Sequence, residues 1–167
     1  PFGLLVQMAE ATQVCLMVFE AVVWRESKFD PKKCGASGER GLMQVSKIAA
    51  SEWAKENHMP DFRAEDLFDP KTNVEAGAWY LRRAMQHWER EFDPTPFALA
   101  EYNAGASRAQ RWAGGANSEP MSSYDFLSNI DFPGTRRYVE SIVTRDEFEK
   151  RRGRLERLAA QATRKKT

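Results

Sequence analysis

Glu26 is the residue in this chain best placed to move a proton. It stands five residues before Pro31, and Asp30, which precedes that proline, is biased away from the α region, so a helix is expected to stop just beyond Glu26. The residues three, four, seven and eleven positions earlier share its helix face; they are Val23, Val22, Phe19 and Cys15, all apolar. A carboxyl on such a stripe is poorly hydrated, which raises its pKa, and the negative end of the helix dipole pushes the same way. The expected product is a carboxylic acid still protonated near neutral pH, which is what a general acid requires. Glu20 also has apolar neighbours on this helix, and a Glu at a helix end is often a solvated surface group. Periodicity alone therefore leaves both readings open.

Three further stretches carry side chains suited to holding a polar ligand. Gly41-Leu42-Met43-Gln44 follows a loop rich in Gly and Ser, and Gln44 offers an amide donor and acceptor. Tyr102-Asn103-Ala104-Gly105 ends a central helix, with a flat apolar ring, a polar tip and a second amide. Thr135-Arg136-Arg137-Tyr138-Val139 opens the last helix. Ser27, next to Glu26, is read either as a hydrogen-bond partner of its carboxyl or as a cap. Met43 is expected to pack beneath the cleft rather than in it. His58 and His87 stand alone, without the Cys/His/Asp spacing of a metal site, and the glycines of 35–41 lack a phosphate-cradling pattern. No metal and no cofactor is expected.

The elements that must position these groups read as mainly α. One buried helix is expected over 4–27, a second over 47–57 capped by Ser46, a third over about 72–91, short ones over 96–103 and 107–112, and a last from 135 to at least 150. Residues 58–70 and 114–125 read as loops, and there is room for a small β-hairpin near 37–46. At 167 residues, 42% apolar and 29% charged, the chain suits one globular domain, assigned to 1–150. The net charge of +1 hides an uneven spread: residues 150–167 carry +7 and the rest −6. The tail, 151–167, is either a contact for an anionic polymer or surface, or a solvated helix end; a nucleic-acid partner is not expected from it. The longest apolar run is too short to span a bilayer. No signal peptide is visible, and a start at Pro1 reads as a processed or excised segment. Cys15 is expected to be a buried small hydrophobe, and a Cys15–Cys34 bridge is left open.

The order Glu26-Ser27, Phe29-Asp30-Pro31, Ala36-Ser37-Gly38, Gly41-Leu42-Met43-Gln44, Tyr102-Asn103-Ala104-Gly105 and Thr135-Arg136 resembles the soluble-lytic-transglycosylase-like domain of bacterial peptidoglycan enzymes over about residues 14–148. That family shares the lysozyme-like fold of goose-type lysozymes. The resemblance implies cleavage of the β-1,4 bond between N-acetylmuramic acid and N-acetylglucosamine with formation of a 1,6-anhydro end. Glu26 would be the single acid and base, with peptidoglycan strands as partner and the bacterial cell envelope or periplasm as location. Ser27, Met43, Gln44, Tyr102, Asn103 and Tyr138 would line the substrate site, with Tyr138 near the catalytic carboxyl. The alternatives are a goose-type hydrolase, which needs a second acid from Glu101 or the 58–70 loop, and an inactive glycan-binding module. Three positions depart from the family pattern: Ser46 and Lys47 where Met and Pro are frequent, Gly134 where Glu often stands, and Glu101 where Ala often precedes the Tyr-Asn pair.

Overall fold

The apolar N-terminal stretch is two helices, not one. In the computed structural model, which describes residues 2–12, 14–115 and 119–144, α1 spans Phe2–Thr12 and α2 spans Leu16–Ser27. Between them Cys15 adopts an extended ψ of 128° and is exposed, contrary to the buried position expected for it. A straight helix over 4–27 would run about 36 Å. The break instead folds α1 back against both α2 and α4. No Gly or Pro marks the break, so a stretch apolar on every side gave no local sign of it.

The remaining helices follow their caps. Ser46 accepts the Ala49 N–H at 3.2 Å and starts α3, Lys47–Glu56. Asp69 accepts the Thr72 N–H at 2.8 Å, and Pro70 takes the first position of α4, Pro70–His87. A 3₁₀ turn, Ala64–Phe68, interrupts the expected 58–70 loop. α5 is Thr95–Ala104 and α6 is Ala106–Trp112, separated by Gly105 at φ 90°. α7, Ser123–Asn129, begins where a loop was expected; Ser122 accepts the Asp125 N–H at 3.1 Å as its cap. α8 covers 133–144. Its expected run to 150, and the basic tail 151–167, lie outside the described residues. The expected hairpin is reduced to two isolated antiparallel bridges, Cys34 with Arg40 and Arg40 with Val45. Cys15 and Cys34 are not joined by a disulfide.

α5 is the helix the others surround. Phe97, Ala98, Leu99 and Ala100 are all fully buried, and α4, α6 and α7 pack against it. Phe97 stacks on Phe126 of α7 with ring centroids 3.9 Å apart, and Trp88 closes the cluster 5.3 Å from Phe97. Phe19, Val22 and Val23 of α2 join the same core, so the apolar face predicted to carry Glu26 is anchored along its length. The C-terminal ends of α2 and α5 and the start of α8 supply one concave surface. Among the described residues no helix is long and apolar enough to cross a membrane.

Candidate active site

Glu26 sits in the last turn of α2, half-buried. The chain reverses directly behind it: Lys28 and Phe29 take left-handed φ values of 57° and 64°, conformations few residues adopt. The Lys33 ammonium then reaches back and donates to the Glu26 carbonyl at 2.8 Å, pinning the loop under the helix end.

Two recesses meet at this carboxyl. One, of about 530 Å³, is lined by Glu26, Glu39, Gln44, Tyr80, Tyr102, Asn103 and Arg108 among others. The second, of about 660 Å³, is lined by Arg25, Glu26, Lys33, Gln44, Asn103, Thr135 and Tyr138 among others. Both volumes lie in the range of small-ligand sites. They share Glu26, Gln44 and Asn103, so they form one cleft with the acid at its middle.

The Glu26 pKa is raised above the ordinary carboxylate value, chiefly by burial. The Tyr138 hydroxyl, Arg25 and Lys33 pull it back down in that order, and the charge of Glu39 adds to the rise. The Tyr138 hydroxyl is itself buried and completes no hydrogen bond among the described residues, yet it lies close enough to Glu26 to favour the ionised carboxylate. Burial, then the Glu26 charge, holds the Tyr138 and Tyr102 hydroxyls well above their usual pKa, so both remain donors.

Gln44 is fixed from two sides. Its Nε2 donates to the Lys33 carbonyl at 3.1 Å and the Gly41 carbonyl at 3.0 Å. Both partners are acceptors, so the amide orientation follows, and Oε1 remains as an acceptor beside the cleft. The backbone of Gln44 has φ 47°, held by its neighbour Met43. The Met43 N–H donates to Asn73 Oδ1 at 2.8 Å, and its carbonyl accepts from the Tyr102 hydroxyl at 2.8 Å. The Tyr102 ring lines the cleft and packs 5.5 Å from Tyr80. Thr135 donates to Asn103 Oδ1 at 2.7 Å, tying the end of α5 to the start of α8 and leaving the Asn103 amide donors over the cleft.

One expected ligand-side residue points elsewhere, and another packs under the cleft, as expected for Met43. The Ser27 hydroxyl is buried and donates to the Val23 carbonyl of its own helix at 3.1 Å, so it does not address Glu26. Met43 is fully buried, with its side chain against Gly77 of α4 and beneath the cleft. Glu101 is neither a cleft acid nor a surface group. It is buried and accepts from Trp88 Nε1 at 2.8 Å, with His87 Nδ1 also 2.8 Å away, and it lines neither recess. The 58–70 loop contributes nothing to the cleft either.

Four cleft or supporting residues were not singled out from sequence: Glu39, Asn73, Tyr80 and Arg108. Asn73 carried a visible signal, since it lies four residues before Gly77 on the apolar stripe of α4 and had to be satisfied there. Glu39 carried none; a Glu in a glycine-rich loop reads as solvated. Among the described residues no three of His, Cys, Asp and Glu gather as metal ligands do.

Comparison with known proteins adds an independent line. The transglycosylase SLT domain matches residues 4–124. The soluble lytic murein transglycosylase of Salmonella typhimurium is 32% identical over 129 residues, covering 77% of this chain and 19% of that protein. The corresponding protein of Escherichia coli K12 is 30% identical over the same shares. The crystal structure of the 70 kDa soluble lytic transglycosylase of Escherichia coli superposes with a TM-score of 0.76 at 28% identity, covering 86% of this chain and 23% of that one. The chain thus spans about a fifth of the length of the curated relatives it matches.

Proposed function

This chain belongs to the transglycosylase SLT domain family, and on that footing we propose that it is a peptidoglycan lytic transglycosylase acting through Glu26. It cleaves the β-1,4 bond between N-acetylmuramic acid and N-acetylglucosamine and leaves a 1,6-anhydro end. The observation that carries this reading is the position of Glu26: one acid, shared by both recesses and biased by burial toward its protonated form.

The reaction follows from that position. The glycan lies across both recesses with the scissile oxygen at Glu26. The protonated carboxyl gives its proton to the oxygen leaving C1 of the muramyl sugar. The carboxylate so formed takes a proton from the C6 hydroxyl of the same sugar, whose oxygen closes on C1. Glu26 ends as it began, and no water is consumed. The nucleophile is tethered, so the step has the effective-molarity advantage of an intramolecular reaction. Gln44 Oε1 accepts from a sugar N–H, the Asn103 amide donates to the glycan, and the Tyr102 ring supports a pyranose face. The Tyr138 hydroxyl steadies the carboxylate while it is charged. The site of action is the bacterial cell envelope.

Mass spectrometry of digested sacculi tests the proposal. Anhydro-muropeptides are expected from the wild type and none from Glu26→Gln, which still binds sacculi. Ordinary reducing ends would instead indicate a hydrolase, a reading favoured only by the second cleft acid, Glu39.

A further inference from the structure

Glu39 is a carboxylate in the cleft that the reaction above does not use. Its Oε2 accepts the Ser37 N–H at 3.0 Å, and no ion pair engages it among the described residues. The cations around it are held elsewhere. Arg40 bonds Glu65 at 2.8 Å, Lys33 bonds the Glu26 carbonyl at 2.8 Å, and Arg108 bonds the Ala104 carbonyl at 2.9 Å. Glycine at 35 makes room for the group: a Cβ there would stand 3.0 Å from Gln44 Oε1 and would overlap Glu39 Oε2. Two acceptors, one neutral and one anionic, therefore converge beside Gly35 on the wall next to Glu26.

We infer that Glu39 makes this cleft prefer glycan strands in which a sugar 2-amino group has lost its acetyl group, by pairing its carboxylate with the resulting ammonium. The inference rests on the glycan-cleaving reading above and names the substrate class within it. An acetamido group offers a single N–H, which Gln44 Oε1 alone satisfies. An ammonium offers three N–H donors, enough for both acceptors, and its bond to a carboxylate is charge-assisted. Sugar hydroxyls are neutral and gain less from the extra charge. A partly solvated pair of this kind supports roughly a fivefold preference, reduced by salt.

The test uses glycan strands freed of stem peptides by an amidase, so that the only amines are on the sugars. Partly N-deacetylated strands are compared with the same strands re-N-acetylated with acetic anhydride. Affinity is measured by calorimetry at mildly acidic pH on Glu26→Gln protein, with and without Glu39→Gln. The deacetylated strands are expected to bind about fivefold tighter to Glu26→Gln, and the ratio to fall to about one when Glu39→Gln is added. Gln at 39 still accepts the Ser37 N–H, and binding of the re-acetylated strands reports that the fold is intact. Should the double variant not fold, the ratio in Glu26→Gln must itself fall to about one in high salt. A ratio unchanged by Glu39→Gln or by salt, or a preference for the acetylated strands, overturns the inference. So does complete loss of turnover in folded Glu39→Gln, which would make Glu39 a catalytic base. Absence of anhydro ends from wild-type protein on either strand defeats the proposed reaction instead, and leaves the affinity ratio to decide the role of Glu39.

Discussion

Replacing Asn73 with Ala should remove the support on which Gln44 is hung. Asn73 is fully buried in the first turn of α4, and both ends of its amide are engaged. Oδ1 accepts the Met43 N–H at 2.8 Å, while Nδ2 donates to the Arg40 carbonyl at 2.7 Å and the Leu67 carbonyl at 2.9 Å. Three bonds at about 0.5–1.5 kcal/mol each, with a Met43 N–H and a Leu67 carbonyl left buried and unpaired, put the loss near 3–5 kcal/mol. That is a large share of the roughly 5–15 kcal/mol that holds a domain together. With a urea m-value of about 2 kcal/mol per molar, the midpoint should fall by roughly 2 M with the slope unchanged. Equilibrium unfolding followed by tryptophan fluorescence reads this directly. Asn73→Asp keeps the acceptor for Met43 but turns a second oxygen toward two carbonyls, so it should be no better than Ala. A midpoint within about 0.5 M of wild type for Asn73→Ala would refute the reasoning, because it would mean that the 40–45 segment holds itself.

Four further outcomes follow from the same structure. Tyr138→Phe removes a buried hydroxyl that completes no bond, so stability should change by less than about 1 kcal/mol. Because that hydroxyl lowers the Glu26 pKa, its loss should move the alkaline limb of the kcat/KM profile to higher pH. Glu26 has a folded-state pKa above its ordinary value, so its stabilising neutral form is fully present in acid and is lost as pH rises through the folded value. Glu26→Gln cannot ionise; its melting temperature should exceed that of wild type at neutral pH, and the two should converge below the ordinary carboxylate range. Glu101→Ala strands the Trp88 N–H and should cost about 2–4 kcal/mol in chemical denaturation, while anhydro-product formation per folded molecule stays within about twofold. Gly134→Glu should be accommodated: a Cβ there meets nothing within 4 Å, and an acid in the first turn of α8 should raise stability by about 0.3–1 kcal/mol in thermal melts.

The helices that announce themselves by caps were legible. Ser46, Asp69-Pro70 and Gly105 each mark an end that the sequence alone locates, because the cap is a local hydrogen bond between near neighbours. Ser122 with Asp125 is an equally local signal for α7, but it lies inside the stretch 114–125 that reads as a loop. The break at Cys15 was not legible, since what ends α1 is packing against α4, some sixty residues away in sequence. The site divides the same way. The burial of Glu26 follows from residues on its own helix, so the raised pKa could be expected. What surrounds it depends on side chains from three other segments, and for those residue type does not say which way they point. Ser27, read either as a partner of the carboxyl or as a cap, turns back to Val23.

The three departures from the family pattern have separate physical roles. Ser46 starts α3 by taking the Ala49 N–H, and from that position it also lines the recess beside Gln44. Glu101 fits inside the core because Trp88 Nε1 and His87 Nδ1 meet its side-chain oxygen; a buried polar group requires such partners. Gly134 leaves open space beside Arg25 and Lys33, in the recess that carries those two cations and no acid but the shared Glu26. The second acid of the cleft, Glu39, lies in the other recess and near Gln44. Negative charge is thus absent where the family often has it and present on the Gln44 side of the acid. A catalytic role for Glu26 is indifferent to that exchange, because burial dominates its pKa. The charge that a bound sugar meets is not indifferent to it, and for that reason a difference between this chain and its relatives should surface in which glycan is preferred rather than in which bond is cut.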